Sequence, residues 1–451
     1  MQVYLDHIER ANRSINAVVT LNDRAMEQAY EAERALTVGS DNIGLLHGVP
    51  FTAKEVFNTA GVRTTRGSVL YSDHVPKQDA TAVKRLKDAG AILIGKTNCP
   101  EFALSAETVN DLFGRTVSPW NADHTSGGSS GGEAAAIAAR MSPIGIGTDL
   151  GGSNRLPSHY NNIVGLKGTH GRIPLTGSWP ELMSRRMHVG PMARTVRDVA
   201  LGLMVMSGPD GEDLYALGHG AMHLPTEHRP LGQLLRLPKQ PLKVAYFCEG
   251  PFYPVMGEIK EIVKKAATFL DHDIGCTVEE VSLNWEDRLP IDVTMSLLVV
   301  EASHYFAPHV SGRETDLSDS ITSLLSSPMP SMDDYMVALD KHEALSRDVT
   351  RILNGYDLIL CPTSPTTSPR HDSAQLVIDG QSTGAGHAAN ITAAFGMTGH
   401  PAISVPFGMS SDGLPIGVQL VTGHMEDSLL LQVSAAIESA SEVREVEPPS
   451  T

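Results

Sequence analysis

Short apolar runs, punctuated by glycine or proline and separated by helical patterns, constrain this chain more than any other feature. INAVVTL (Ile15–Leu21), GVPFTAK (Gly48–Lys54), AILIGKT (Ala91–Thr97), PIGIGTD (Pro143–Asp149) and IVGLKGT (Ile163–Thr169) read as buried strands. DATAVKRLKDAG (Asp79–Gly90) and GGEAAAIAARM (Gly131–Met141) between them read as helices, so strand and helix alternate as in α/β proteins. Parallel pairing is the natural consequence. The same grammar returns in LKVAYF (Leu242–Phe247), in a helix whose stripe is Val255, Ile259, Ile262, Val263, Ala266, Phe269 and Leu270, and in the strands DLILCP, AISVPFG and GVQLVTG. A last helix is expected from Asp427 to about Ser439. The expected architecture is one α/β domain over 1–451, with a single large mixed, mostly parallel, twisted sheet surrounded by helices. Its halves are 1–207 and 241–451, joined by a polar surface segment at 208–240, and a helical insertion spans about 292–354.

With 451 residues, 41% of them hydrophobic, the chain can bury a large core without disulfides or metals. Its 35 basic and 52 acidic residues give a formal charge of −17, which argues against general affinity for nucleic acid or an anionic membrane. Cys99, Cys248, Cys276 and Cys361 form no CxxC pair and suit free buried thiols in a reducing compartment. No stretch of eighteen apolar residues occurs and the N-terminus lacks a signal-peptide pattern, so the expectation is a cytoplasmic protein.

Two glycine-serine clusters carry the chemistry: SGGSSGGE (Ser126–Glu133) and GTDLGGSNR (Gly147–Arg155). Such stretches are often flexible linkers, but each of these is wedged between structured segments. The first runs into an Ala-rich helix, where N–H groups gather partial positive charge, and the second leaves the end of a strand, where open α/β sheets place ligands. Glycine-rich turns also present successive N–H groups to an anion, which is what an acyl-transfer transition state requires. A serine there needs a base. The histidines form no pattern with either serine; His124, His159 and His170 read as plain loop residues. Lys54 follows an apolar strand, where burial would leave a neutral amine able to accept a proton, although a lysine ending a strand in water has the same local sequence.

HGVPFTAKEVFNTAGVRTTRGS (His47–Ser68), GRTVSPWNADHTSGGSSGGEAAAIAA (Gly114–Ala139) and GTDLGGSNRLPSHYNNIVGLKGTHGRIP (Gly147–Pro174) together resemble the amidase signature family, and Val189–Gly208 and His400–Gly423 resemble its later segments. The resemblance implies a fold with one large sheet and a triad of Ser153 as nucleophile, Ser129 in a cis peptide as proton relay, and Lys54 as base. It implies that the N–H groups of Leu150, Gly151, Gly152 and Ser153 hold the oxyanion, and that Ser130, Thr148, Asp149 and Arg155 support them, with Asp149 paired to Arg155. Gly127, Gly128, Leu104, Asn154 and Arg172 are candidates for substrate contact.

Asn154 stands in place of the usual apolar residue, SHYNN (Ser158–Asn162) replaces a small or apolar run, and Gly168 replaces a frequent proline. Arg172, Trp179 and Arg185 follow near the expected mouth. Asn154, Arg172 and the chain length resemble the family's carbamate-cleaving urethanases, so a small aryl amide, anilide or N-aryl carbamate is the expected substrate. No HExxH and no GxGxxG opening a helix after a strand are present, and no cofactor or metal is expected. A homodimer is a candidate assembly. Two other enzyme readings stay open. One is the amidotransferase component that the same family supplies to a complex acting on aminoacyl-tRNA, which would need a partner and glutamine. The other takes GGSSG (Gly127–Gly131) as the GxSxG serine of an α/β-hydrolase esterase, a motif that requires a strand directly before it. A noncatalytic scaffold would be expected to have lost Lys54, Ser129 or Ser153.

Overall fold

The computed structural model describes residues 1–39, 43–183, 186–216 and 235–449; Arg185 and residues 217–234 of the expected surface segment lie outside them. The strands are β1 (Val18–Leu21), β2 (Pro50–Lys54), β3 (Ile92–Thr97), β4 (Val109–Asn110), β5 (Gly114–Arg115), β6 (Ile144–Asp149), β7 (Val164–Lys167) and β8 (His188–Ala193). They continue with β9 (Lys243–Tyr246), β10 (Thr277–Glu280), β11 (Leu358–Pro362), β12 (Gln375–Ile378), β13 (Gln381–Gly384), β14 (Ala402–Met409) and β15 (Pro415–Thr422). Eleven of them form one sheet in the order β1-β3-β2-β6-β8-β7-β14-β15-β11-β9-β10, while β4-β5 and β12-β13 are separate ribbons.

The sheet is mixed, as expected, and its parallel ladders form two blocks: β3-β2-β6 and β11-β9-β10. The ladders between those blocks are antiparallel, a refinement of the mostly parallel pairing expected. The connections explain two of these ladders. Strands β14 and β15 are joined by the short turn 410–414, and no α-helix is described between β7 and β8, so the helical crossover that parallel neighbours require is missing there.

Both faces of the sheet are covered, which is why its strands read as continuous apolar runs. β11 sends Leu358 and Leu360 into one core and Ile359 and Cys361 into the other, the period of two expected of a strand. The helix Gly257–His272 buries Ile259, Val263, Ala266 and Leu270 on the expected stripe, and the helix Asp427–Ala440 buries Leu430, Val433 and Ile437. The region read as a helical insertion holds Pro290–Val310, Asp319–Leu325 and Met332–Leu353. All four cysteines are free and buried. Among the described residues no helix is long and apolar enough to cross a membrane. Parallel pairing of β2 with β6 brings their C-terminal ends, Lys54 and Asp149, to the same edge of the sheet.

Candidate active site

At that edge Lys54 is fully buried. Its Nζ lies 2.7 Å from Ser129 Oγ, 3.0 Å from Ser130 Oγ and 2.8 Å from Thr148 Oγ1. Burial lowers its pKa to about 8, opposed by Cys99, Asp149 and Glu133. Ser129 follows a cis peptide bond from Gly128 and immediately precedes Ser130, the residue before the helix Gly131–Ala138. The two serine loops meet where the Ser130 N–H donates to the Ser153 carbonyl at 3.2 Å. Ser153 is only half-buried, and among the described residues its hydroxyl has no hydrogen bond to Ser129 or to any other group.

The loop carrying Ser153 is built around a buried ion pair. Arg155 donates to Asp149 through Nε (3.0 Å) and Nη2 (2.8 Å), and reaches Gln419 of β15 through Nη1 at 2.7 Å. Burial would push the Asp149 carboxyl up, but Arg155, Lys167 and the backbone donors outweigh it and hold it below the usual carboxylate range. One of those donors corrects an expectation: the Gly152 N–H is spent on Asp149 Oδ1 at 2.8 Å, so it is not aimed outward as an oxyanion donor. The N–H groups of Leu150, Gly151 and Ser153 have no acceptor among the described residues. Gly152 instead sets the shape of the loop. Its φ is 127°, and a Cβ at this position would lie 2.2 Å from Thr392 Oγ1, so only glycine fits. Thr392 also donates to the Gly151 carbonyl at 2.7 Å, pinning the loop from the helix Asn390–Thr398.

A cavity of about 460 Å³ opens beside these loops, walled by Leu156, Tyr160, Ile291, Met295, Leu376, Ala388 and Ala389 and also by Ser105, Ala106, Glu107 and Thr125. Gly128 packs against Ser105, Ala106 and Glu107, Leu156 bonds back to the Gly152 carbonyl, and Ala389 shares the Thr392 hydroxyl with Gly151, so the cavity walls abut both serine segments. The charges on its wall are paired: Glu107 with Arg115 and His371, and Arg370 with Asp123.

The candidates for substrate contact divide. Gly127 and Gly128 lie in the buried serine loop next to that cavity, and Leu104 packs against the neighbouring aromatic core. Asn154 is corrected to an internal role: it is fully buried, with Oδ1 accepting from Ser130 and Nδ2 donating to the carbonyls of Leu166 and Gly190. Arg172 is likewise committed inward, to Asp427 at 2.9 Å, and Trp179 packs edge-on in a cluster with Phe102 and Phe306. Sequence reasoning missed Thr392, Gln419 and Glu133. A glutamine inside the apolar run VQLV and a glutamate inside an Ala-rich helix were the available signals. His159 is buried between the Gly417 N–H and the Thr366 carbonyl, its pKa lowered to about 4 by burial, and no strand is described over 116–130 ahead of Ser129, where a GxSxG hydrolase requires one. Among the described residues no group of three or more His, Cys, Asp or Glu is placed to hold a metal ion.

The model of the amidase family matches residues 1–431. The chain is 31% identical to a glutamyl-tRNA(Gln) amidotransferase subunit of Thermosynechococcus vestitus, covering 99% of this chain and 95% of that protein. It is 33% identical to an indoleacetamide hydrolase of Bradyrhizobium diazoefficiens, covering 98% of this chain and 83% of the other. Among solved structures, a bacterial aryl acylamidase of the amidase signature enzymes superposes with a TM-score of 0.87 at 27% identity, over 98% of this chain and 92% of that one.

Proposed function

The chain belongs to the amidase (amidase signature) family, and from that premise we propose that it hydrolyses the C–N bond of small, non-polar amides, anilides or N-aryl carbamates through an acyl-enzyme on Ser153. The observation that carries the reading is the buried Lys54 amine 2.7 Å from Ser129, with its pKa lowered to about 8, next to a loop whose N–H groups at Leu150, Gly151 and Ser153 have no internal acceptor. Neutral Lys54 accepts the Ser129 proton, Ser129 accepts the Ser153 proton, and Ser153 Oγ adds to the substrate carbonyl. The oxyanion is held by the uncommitted N–H groups. The proton returns along the relay to the leaving nitrogen, the amine departs, and water resolves the ester by the same path. A carbamate follows the same route and yields an alcohol and carbon dioxide besides the amine. The missing Ser129–Ser153 hydrogen bond is the link that substrate must close, as catalytic contacts commonly tighten only in the Michaelis complex.

The apolar, charge-paired cavity supports a neutral aryl or alkyl group over an amino acid. The second reading, an amidotransferase component working with partner proteins, is favoured by the 31% identity to such a protein. The purified chain, assayed alone on nitroanilides, N-aryl carbamates, long-chain fatty amides and glutamine, separates the two. Amine release from the first two classes is expected; activity confined to glutamine, or to the fatty amides, overturns the proposal. The free, buried cysteines support a reducing compartment.

A further inference from the structure

A carboxyl group is enclosed beside the proposed base, and the reaction as derived makes no use of it. Glu133, in the first turn of the helix Gly131–Ala138, is fully buried. Thr52 of β2 donates to its Oε1 and Thr97 of β3 to its Oε2, the latter at 2.8 Å. Thr52 and Lys54 stand two apart on one strand and so share a face, and Thr97 is the register partner of Lys54. Room for the carboxyl is made by Gly145 on β6, where a Cβ would lie 1.8 Å from Glu133 Oε1. The side chain is thus held on the Lys54 face of the sheet by the strand that carries Lys54 and by the strand beside it.

We propose that Glu133 is a positioning residue that sets the charge of Lys54, and through it the pH at which Ser153 becomes nucleophilic. The inference rests on Lys54 being the base. The ionisable groups acting on Lys54 are Cys99 from the segment after β3, Asp149 at the end of β6, and Glu133. Burial pushes the Cys99 thiol up to about 12, so it stays neutral, and Asp149 is held ionised by Arg155. Glu133 differs: burial raises it to about 7 against the two threonine hydroxyls, Lys54 and Lys96. Lys96 is itself lowered to about 8 by burial, and it is engaged by the Phe57 carbonyl, Thr64 and the charge of Glu55. Glu133 is therefore the acid acting on Lys54 whose charge changes in the neutral range. Its ionised form favours the ammonium, which cannot accept a proton. Removing that charge lowers the Lys54 pKa and moves the onset of reactivity to lower pH.

The test is the rate at which an alkyl fluorophosphonate labels Ser153 across the neutral and alkaline range, a readout that needs no knowledge of the natural substrate. In Glu133→Gln the rise is expected to move to lower pH by up to about one unit. Thr97→Val keeps the carboxyl but removes a donor to its ionised form, and should move the rise the same way by less. A rise that stays in place in both variants overturns the proposal; should Glu133→Gln fail to fold, Thr97→Val decides alone. A merely structural Glu133 would alter the amount of folded protein and leave the position of the rise unchanged. If Lys54→Met is labelled at the parental rate, the assignment of the base fails instead, whatever Glu133 does.

Discussion

Lys54 ends β2 enclosed by three hydroxyls, with no carboxylate among its hydrogen-bond partners, so burial is the main influence on its protonation. In the proposed relay the neutral amine is the reactive form, so amine release is expected to rise with pH through about 8, and a pH profile of kcat/KM on a nitroanilide checks it. Lys54→Met should lower that rate by about a thousandfold and flatten the rise. Ser153→Ala should lower turnover by at least about a thousandfold while leaving the melting temperature unchanged, because a half-buried hydroxyl with no internal partner contributes little to stability. Local sequence could not assign the lysine. Its hydroxyl partners lie 75 to 94 residues downstream, so nothing next to Lys54 distinguishes it from a solvated strand end. Only the resemblance of its motif, together with two others, to the amidase signature family pointed to it. Glu133 was hidden for another reason: an acid in the first turn of a helix is what the helix dipole alone would favour.

The element that holds Ser153 is the turn from β6 into the helix Arg155–Asn161. Asp149 and Arg155 are both fully buried, and removing one partner of such a pair leaves an uncompensated charge. Arg155→Met should therefore destabilise the protein by about 3–5 kcal/mol, measured by urea unfolding, and also lower kcat by releasing the Ser153 turn. The pairing was legible from motif resemblance, whereas the diversion of the Gly152 N–H to Asp149 was not, since which donors a turn spends internally depends on its three-dimensional path. Among strands, legibility followed the apolar run. β2, β3, β6, β14 and β15 are uniformly buried or nearly so and were readable. β8 was not, because Gly190 and Pro191 interrupt its run, and β10 was not, because its residues are largely exposed.

At the scale of the molecule, one sheet draws on both ends of the chain: β7 from the first half pairs with β14 from the second. Heat or urea is therefore expected to unfold the protein in one cooperative transition, and two resolved calorimetric peaks would count against a single folding unit. The alternation of strand and helix made the α/β class readable, while strand order remained hidden because ladders such as β7–β14 join residues far apart in sequence. The hold of Thr392 on the Gly151 carbonyl has a consequence for synthesis. A ribosome releases the Ser153 segment long before residue 392 leaves the exit tunnel, so the nascent polypeptide carries this serine without the clamp that shapes the surrounding turn. The turn can therefore take its clamped shape only after residue 392 has been made.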